Sequence, residues 1–241
     1  MKKNKDTIEL PPYIHANNTQ TFFTLTPISQ SLFPPTPPQL ISFNCAGIQQ
    51  LPTRNSKLHC INKIINDHKP QILLLQETHT NTDTTYHIQS LLSSFFIIHN
   101  PSPSSHTRGT LIAIEKTYLH QFNSLQIKYH LPQGRSLAIE LNHTETSTSF
   151  TIHNIYIPSN NEIQQQDLQT IKNNLETPNN TTTHILAGDF NQPNDDLTQL
   201  NNTIQHTWWL ENTEIEEVYQ PLPTILIRHI KQIRQNIYLT Q

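Results

Sequence analysis

The chain has 241 residues, a formal charge of −3 and 34% hydrophobic residues. That is enough for one domain with a substantial core, though a polar and marginally packed one. The charge excludes a globally basic nucleic-acid binder, so any DNA contact has to be local. Two cysteines are too few for a disulfide-built scaffold and fit a reducing compartment. No apolar run approaches membrane-spanning length and the N-terminus has no signal-peptide core. The expected location is therefore nuclear or cytoplasmic, not secreted, with no membrane partner.

Residues 1–39 hold seven of the 17 prolines, including Pro34-Pro35 and Pro37-Pro38, among Thr, Gln and Asn. This composition predicts a disordered or extended leader. Leu40–Asn44 reads as the first strand. Leu58, Ile61, Ile64, Ile65 and His68 follow helical spacing, and Pro70 closes that helix. The apolar run Ile72–Gln76 then ends in Glu77, which gives a strand–helix–strand unit of the parallel crossover kind.

A second helix is expected around Thr84–Leu92, a short strand at Phe95–His99 and a surface loop over Asn100–Arg108. Four β-type runs follow at Thr110–Glu115, Leu125–Tyr129, Ser136–Leu141 and Phe150–Ile157, separated by turn signals such as Pro132-Gln133-Gly134. Consecutive antiparallel pairing is expected for them. A polar helix spans Asn161–Leu175, and an apolar strand runs into Asp189. A further helix near Leu197–Ile204, a strand-like piece at Thr224–Ile227 and a basic end with Arg228, Lys231 and Arg234 complete the pattern. Strand–helix segments flanking a β-meander predict two packed sheets with helices outside.

Only four Gly, five Ala and one Val are present, a scarcity that points to a guanine-poor coding strand. Eight of these nine Gly and Ala residues, Ala16 being the exception, fall in predicted strands and turns or just beyond a strand end. Small residues kept in turns and buried strands against such a drift are required sterically.

The chemistry collects at strand ends. Asn44, Glu77, Tyr156 and the pair Asp189/Asn191 each follow or end an apolar run. On an extended backbone, residues i and i+2 point the same way, so Asp189 and Asn191 are expected to converge. Hard divalent cations want oxygen ligands and often take one or two carboxylates plus water and substrate phosphate. A single Glu beside a neutral Asn fits that economy. Asp189 could orient or deprotonate a water, with Asn191 and Tyr156 hydrogen-bonding a phosphoryl oxygen.

In this order, Ser-Phe-Asn at 42–44, Leu-Gln-Glu-Thr at 75–78, Asn-x-Tyr-x-Pro at 154–158 and Gly-Asp-Phe-Asn at 188–191 resemble the endonuclease/exonuclease/phosphatase superfamily over about Leu40 to Tyr238. That is the fold of pancreatic deoxyribonuclease and of apurinic-site endonucleases. Within it, Gln76-Glu77-Thr78-His79, Gly109-Thr110 and Gly134-Arg135-Ser136-Leu137-Ala138-Ile139-Glu140 are similar to the endonuclease of non-long-terminal-repeat retrotransposons.

The resemblance implies a four-layer α-β-β-α sandwich of two packed mixed sheets flanked by helices, over residues 40–241. It implies DNA nicking by water attack on a phosphodiester with Mg2+, or alternatively Mn2+. Glu77 would ligate the metal with Asn44 adjacent, and Asp189 would align the attacking water. Asn191 and Tyr156 would contact the scissile phosphate. Arg135 would support the site as a substrate-binding residue and His79 would lean toward the DNA, with a surface Arg at a turn and a solvated loop His the plain alternatives. Intact relatives carry a reverse transcriptase domain, which this sequence does not contain.

The pattern breaks at its end. An Ile-Asp-Tyr strand and a Ser-Asp-His are expected, but Ile237-Tyr238 lacks the intervening Asp, no Asp follows Asp196 and no Ser-Asp-His occurs. His229 stands too early to replace that His. The expectation is a domain incomplete at its C-terminus, without the final strands and with severely reduced nicking. A catalytically dead retroelement remnant is the alternative, followed by a phosphatase or phospholipase on the same fold.

Overall fold

The computed structural model describes residues 13–16, 22–25, 38–48, 57–104, 106–143, 148–159, 161–175, 182–191, 207–210 and 224–228. They form two mixed sheets. The first has strand order β1-β5-β6-β4-β3, with β1 Tyr13–His15, β3 Leu40–Asn44, β4 Ile72–Gln76, β5 Phe95–Asn100 and β6 Thr110–Glu115. The second has order β11-β12-β10-β9-β8-β7-β2. Its members are β2 Phe22–Thr24, β7 Ser124–His130, β8 Leu137–His143, β9 Thr148–Tyr156, β10 Thr182–Asp189, β11 Thr207–Leu210 and β12 Thr224–Arg228. Helices α1 (Lys57–His68), α2 (Thr85–Leu91), α3 (Lys116–Leu119) and α4 (Asn161–Leu175) connect them.

Alternation along the strands explains the layering. A period of two sends successive side chains to opposite faces. Ile72 and Leu74 of β4, with Ile112 and Ile114 of β6, join Ile139, Ile152 and Ile185 in the core between the sheets. Leu73, Leu75, Leu111 and Ala113 instead pack outward with Ile61 of α1 and Ile88 of α2. On the other side, Ile155, Ile157 and Leu186 meet Ile171, Leu168 and Leu175 of α4. The four layers expected from the sequence are therefore present. Among the described residues, no helix is long and apolar enough to cross a membrane.

Parallel pairing sets the ends of the key strands level. In β3 and β4, Leu40 faces Ile72 and Asn44 faces Gln76; in β9 and β10, Asp189 faces Tyr156. The side chains that close these strands are brought to one rim by register.

Two expectations need correcting. The leader is not uniformly unstructured: β1 pairs in parallel with β5, and β2 pairs antiparallel with β7. Ala16 N–H adds a bond to His99 O at 2.8 Å, and Leu25 N–H one to Asn123 O at 2.7 Å. Ile14, Ala16, Phe23 and Leu25 are buried in the inter-sheet core, so these short alternating pieces gain apolar burial and cover a strand edge in each sheet. Second, β11 continues the second sheet where the sequence pattern weakens, lying parallel to β12. The prolines at 27, 34, 35 and 37, and the helix expected near Leu197–Ile204, lie outside the described residues.

Candidate active site

Asn44 at the end of β3 donates from Nδ2 to Oδ2 of Asp189 at the end of β10, at 2.8 Å, so one hydrogen bond joins the two sheets at the rim. The amide is oriented by Ala46 N–H, which donates to Asn44 Oδ1 at 2.9 Å. The other carboxylate oxygen of Asp189 accepts the main-chain N–H of Asn191 at 3.2 Å. Asp189 is 8% exposed, so its carboxylate is held on two sides and still reaches the surface.

Glu77 follows β4 directly. Its side chain is 24% exposed, and it is hydrogen-bonded by the phenol of Tyr156. Burial pushes the Tyr156 hydroxyl far above its ordinary range, and the charges of Glu77 and Asp189 add to this while Arg108 opposes it. Tyr156 therefore stays protonated and donates. The structure thus brings Asn44, Glu77, Tyr156 and Asp189 together.

The loops around this group are stitched by their backbones. Gly47 N–H donates to Glu77 O at 2.6 Å and Ile48 N–H to Thr78 O at 2.9 Å. Thr78 N–H donates to Gly109 O at 3.0 Å, His79 N–H to Arg108 O at 2.7 Å and Gly109 N–H to Gly134 O at 3.0 Å. Five non-glycine residues here, Ala46, Glu77, His79, Arg108 and Asn191, have left-handed φ between 46° and 58°. Such backbones persist only where the surroundings over-determine them, as at functional sites.

Behind the Glu77 loop a buried side-chain chain continues. The hydroxyls of Thr78 and Thr80 lie 2.8 Å apart, that of Thr80 lies 2.9 Å from His99 Nε2, and Thr85 Oγ1 lies 2.8 Å from His99 Nδ1. Burial holds the His99 pKa down at about 3, with the neighbouring His15 adding to the effect. Its imidazole is neutral at ordinary pH and serves to hold the loop.

A second buried network is nearly silent in the sequence. Asn154 Nδ2 donates to the carbonyls of Leu75 at 3.0 Å and Leu111 at 2.9 Å, and Asn154 Oδ1 accepts from Gln76 Nε2 at 2.7 Å. Gln76 Nε2 also reaches Ser42 Oγ at 3.1 Å. This amide pair bolts β9 to the first sheet just inside Glu77 and Tyr156. Its only sequence signal is a carboxamide two residues before the Tyr and another one before the Glu.

Gly188 sets the approach of β10 to β9. A Cβ there would lie 1.9 Å from the carbonyl oxygen of Ile155, on a backbone with φ of +151°. Gly188→Ala is expected to cost about 3 kcal/mol or more, through overpacking against main chain and a strained backbone. Urea unfolding checks this. A variant as stable as the parent would mean that the two strands can part without penalty.

The side chains of Asn191, Arg135 and His79 are held as follows. β10 ends at Asp189 and Asn191 has a φ of +46°, so extended alternation does not carry its side chain beside Asp189. Its amide donates instead to Ile157 O at 2.9 Å, and it reaches Asp189 through its main chain. Arg135 is not a free surface cation: its Nη1 lies 3.3 Å from Asp167 Oδ2 on α4, with side chains 12% and 3% exposed. Its Nε also donates to Pro132 O at 3.0 Å. His79 turns toward Glu77, Nε2 to Oε2 3.8 Å, and so belongs to the rim of the site.

Among the described residues, no group of three His, Cys, Asp or Glu is arranged to hold a metal ion. The side chains gathered here offer oxygen from two carboxylates, a carboxamide and a phenol, with no thiolate. That set suits a hard cation that keeps most of its water rather than a closed zinc cage. Glu77, partly exposed, with Asn44 beside it, fits a Mg2+ ion of that kind.

A family profile described as "Endonuclease/Exonuclease/phosphatase family" matches residues 41–216. Among solved structures, the chain is similar to an AP endonuclease from Leishmania major, at 18% identity and a TM-score of 0.49, covering 67% of this chain and 59% of that one. It is also similar to D. rerio TDP2 complexed with single-strand DNA product, at 14% identity and TM-score 0.49, covering 67% and 64%. A third is the endonuclease domain of TRAS1, a telomere-specific non-LTR retrotransposon, at 15% identity and TM-score 0.47, covering 70% and 72%. No curated protein matches the chain.

Proposed function

The chain belongs to the endonuclease/exonuclease/phosphatase family, and from that membership we propose that it is a Mg2+-dependent phosphodiesterase of the retrotransposon endonuclease type, nicking DNA. The observation that carries this reading is the inter-sheet bond from Asn44 to Asp189, beside the Tyr156 phenol on Glu77. The motifs at 76–79, 109–110 and 134–140 favour a retrotransposon-type substrate, DNA, over other phosphoesters.

The residues divide the work. Asp189, fixed by Asn44 and by Asn191 N–H, orients a water and takes its proton as the water oxygen attacks phosphorus and the bond to the leaving sugar oxygen breaks. The protonated Tyr156 hydroxyl, which donates to Glu77 in the absence of substrate, turns its one proton to a phosphoryl oxygen, where negative charge grows. Glu77 and Asn44 would hold Mg2+, with Mn2+ as a substitute. When bound, the ion supplies charge neutralisation at the phosphoryl group.

A second reading, a non-catalytic retroelement remnant, is favoured by one observation: Ile237 and Tyr238 are adjacent, without the Asp expected between them. The test is relaxation of supercoiled plasmid by the chain with Mg2+. On the first reading, nicking is slow, is stopped by EDTA, and falls at least about a hundredfold in Glu77→Ala and Asp189→Ala. Nicking that survives both substitutions belongs to a contaminant and sinks the enzymatic reading. A complete lack of metal-dependent nicking favours the remnant.

A further inference from the structure

We infer that Arg108 is the residue that grips the DNA backbone at this site, a substrate-binding cation whose backbone is tied to the loop that follows Glu77; this rests on the phosphodiesterase reading above. A phosphodiester arriving next to the carboxylates of Glu77 and Asp189 meets like charge, so the protein must bring positive charge of its own. Arg135, on the neighbouring turn, is already used: it is half-buried against Asp167 at 3.3 Å.

Arg108 is different. Its carbonyl accepts His79 N–H at 2.7 Å, and the next residue, Gly109, accepts Thr78 N–H at 3.0 Å. The backbone ladder therefore fixes Arg108 against the two residues that follow Glu77. Its side chain is half-buried, and its Nη1 donates to Gln133 Oε1, a neutral acceptor that positions the guanidinium without cancelling its charge. Among the described residues, the ion pairs are His79–Glu77, Lys128–Glu140 and Arg135–Asp167, so no carboxylate pairs with Arg108.

The charge is also felt at the Tyr156 hydroxyl and at the Asp167 carboxyl, in each case as the smallest of the influences there. The backbone agrees. Arg108 and Gln133 have left-handed φ of 58° and 63°, and a Cβ on Gly134 would lie 2.7 Å from Gly109 N. Two strained turns are thus pressed together where the guanidinium is presented. A planar guanidinium suits phosphate, since it can donate two parallel hydrogen bonds.

The experiment is fluorescence anisotropy of a labelled DNA duplex of about 20 base pairs, long enough for several phosphate contacts, with the full chain in EDTA over a KCl series. One phosphate contact contributes a slope of about −0.9 in log K against log salt. Arg108→Ala should therefore weaken binding about eightfold at about 0.1 M salt and flatten the slope by about 1. Arg108→Lys should keep the slope. Arg108→Gln serves as a second neutral variant if the alanine form fails to fold. Parental binding and slope in Arg108→Ala or Arg108→Gln overturn the inference, while loss of nicking in Glu77→Ala still supports the enzymatic reading. A parent chain that does not bind duplex DNA overturns both.

Discussion

Asn154→Ala should strip the fold of about 4 kcal/mol, more than an ordinary core truncation of its size. Asn154 is fully buried and makes hydrogen bonds to Gln76 Nε2 and to the carbonyls of Leu75 and Leu111. Each buried polar group left without a partner costs about 1–3 kcal/mol, and the shortened side chain adds a small cavity. A domain of this kind is stable by only about 5–15 kcal/mol, so the variant sits near the edge of folding. Gln76 Oε1 already has no hydrogen-bond partner among the described residues, so the network has little slack. Urea unfolding of the parent and the variant measures the loss. A difference below about 1 kcal/mol, the net worth of one ordinary hydrogen bond, would show that water or a shift of the sheets replaces the amide. On the proposed phosphodiesterase reading, the same variant should also nick more slowly, because Gln76 precedes Glu77 and Asn154 shares β9 with Tyr156.

The second large effect is acid lability. His99 titrates near 6.5 when unfolded but at about 3 in the fold, because burial disfavours its charged form. A base with a depressed folded pKa binds more protons when unfolded, so stability is full above pH 6.5 and falls as pH drops from there toward 3. Each pH unit in that window removes about 1.36 kcal/mol, or about 2 kcal/mol from His99 alone at about pH 5. His153 acts in the same direction. Burial, with the charges of His184 and Lys128, holds its pKa well below 6.5, and it is fixed between Tyr129 Oη and His184 Nδ1, each at 3.1 Å. His15, His130 and His184 are lowered too, chiefly by burial. Asp167 has the opposite sign, since burial raises its carboxyl pKa, and its relief comes only as pH approaches the carboxylate range. Unfolding free energies at about pH 7 and about pH 5 provide the check. Equal values would show that these imidazoles are hydrated in solution.

The parts of the fold legible in the sequence are those that local patterning decides. Continuous apolar runs such as Ile72–Leu75 declare strands buried on both faces, and polar residues ending such runs declare the rim. That is why Asn44, Glu77, Tyr156 and Asp189 stand out in the bare string of residues. Features made by distant partners are silent there. β1 and β2 are three residues each, too short to stand out from a proline-rich background, and their burial comes from strands far along the chain. Ala16, the one small residue outside the expected elements, is 1% exposed in the inter-sheet core, consistent with the steric rule inferred for the other eight.

Side chains depart from the pattern where local geometry changes. Asn191 lies two residues beyond the end of β10 and has a left-handed backbone, so the two-residue period that would pair its side chain with Asp189 does not reach it. Arg135 reads as a surface charge in sequence because its partner, Asp167, sits on a different element. Arg108 reads as the end of a loop because the hydrogen bonds that tie residues 108 and 109 to Thr78, His79 and Gly134 join segments far apart in the chain.

The pairing of β1 with β5 and of β2 with β7 also bears on biogenesis. The ribosome delivers Ile14 and Phe23 well before their register partners Ile98 and Leu125 have emerged. Closure of such remote loops is entropically slow and leaves nascent edges open to wrong partners. Maturation of the two sheets must therefore wait on β5 and β7, while the segments carrying Ile14 and Phe23 stay unpaired until those strands exist.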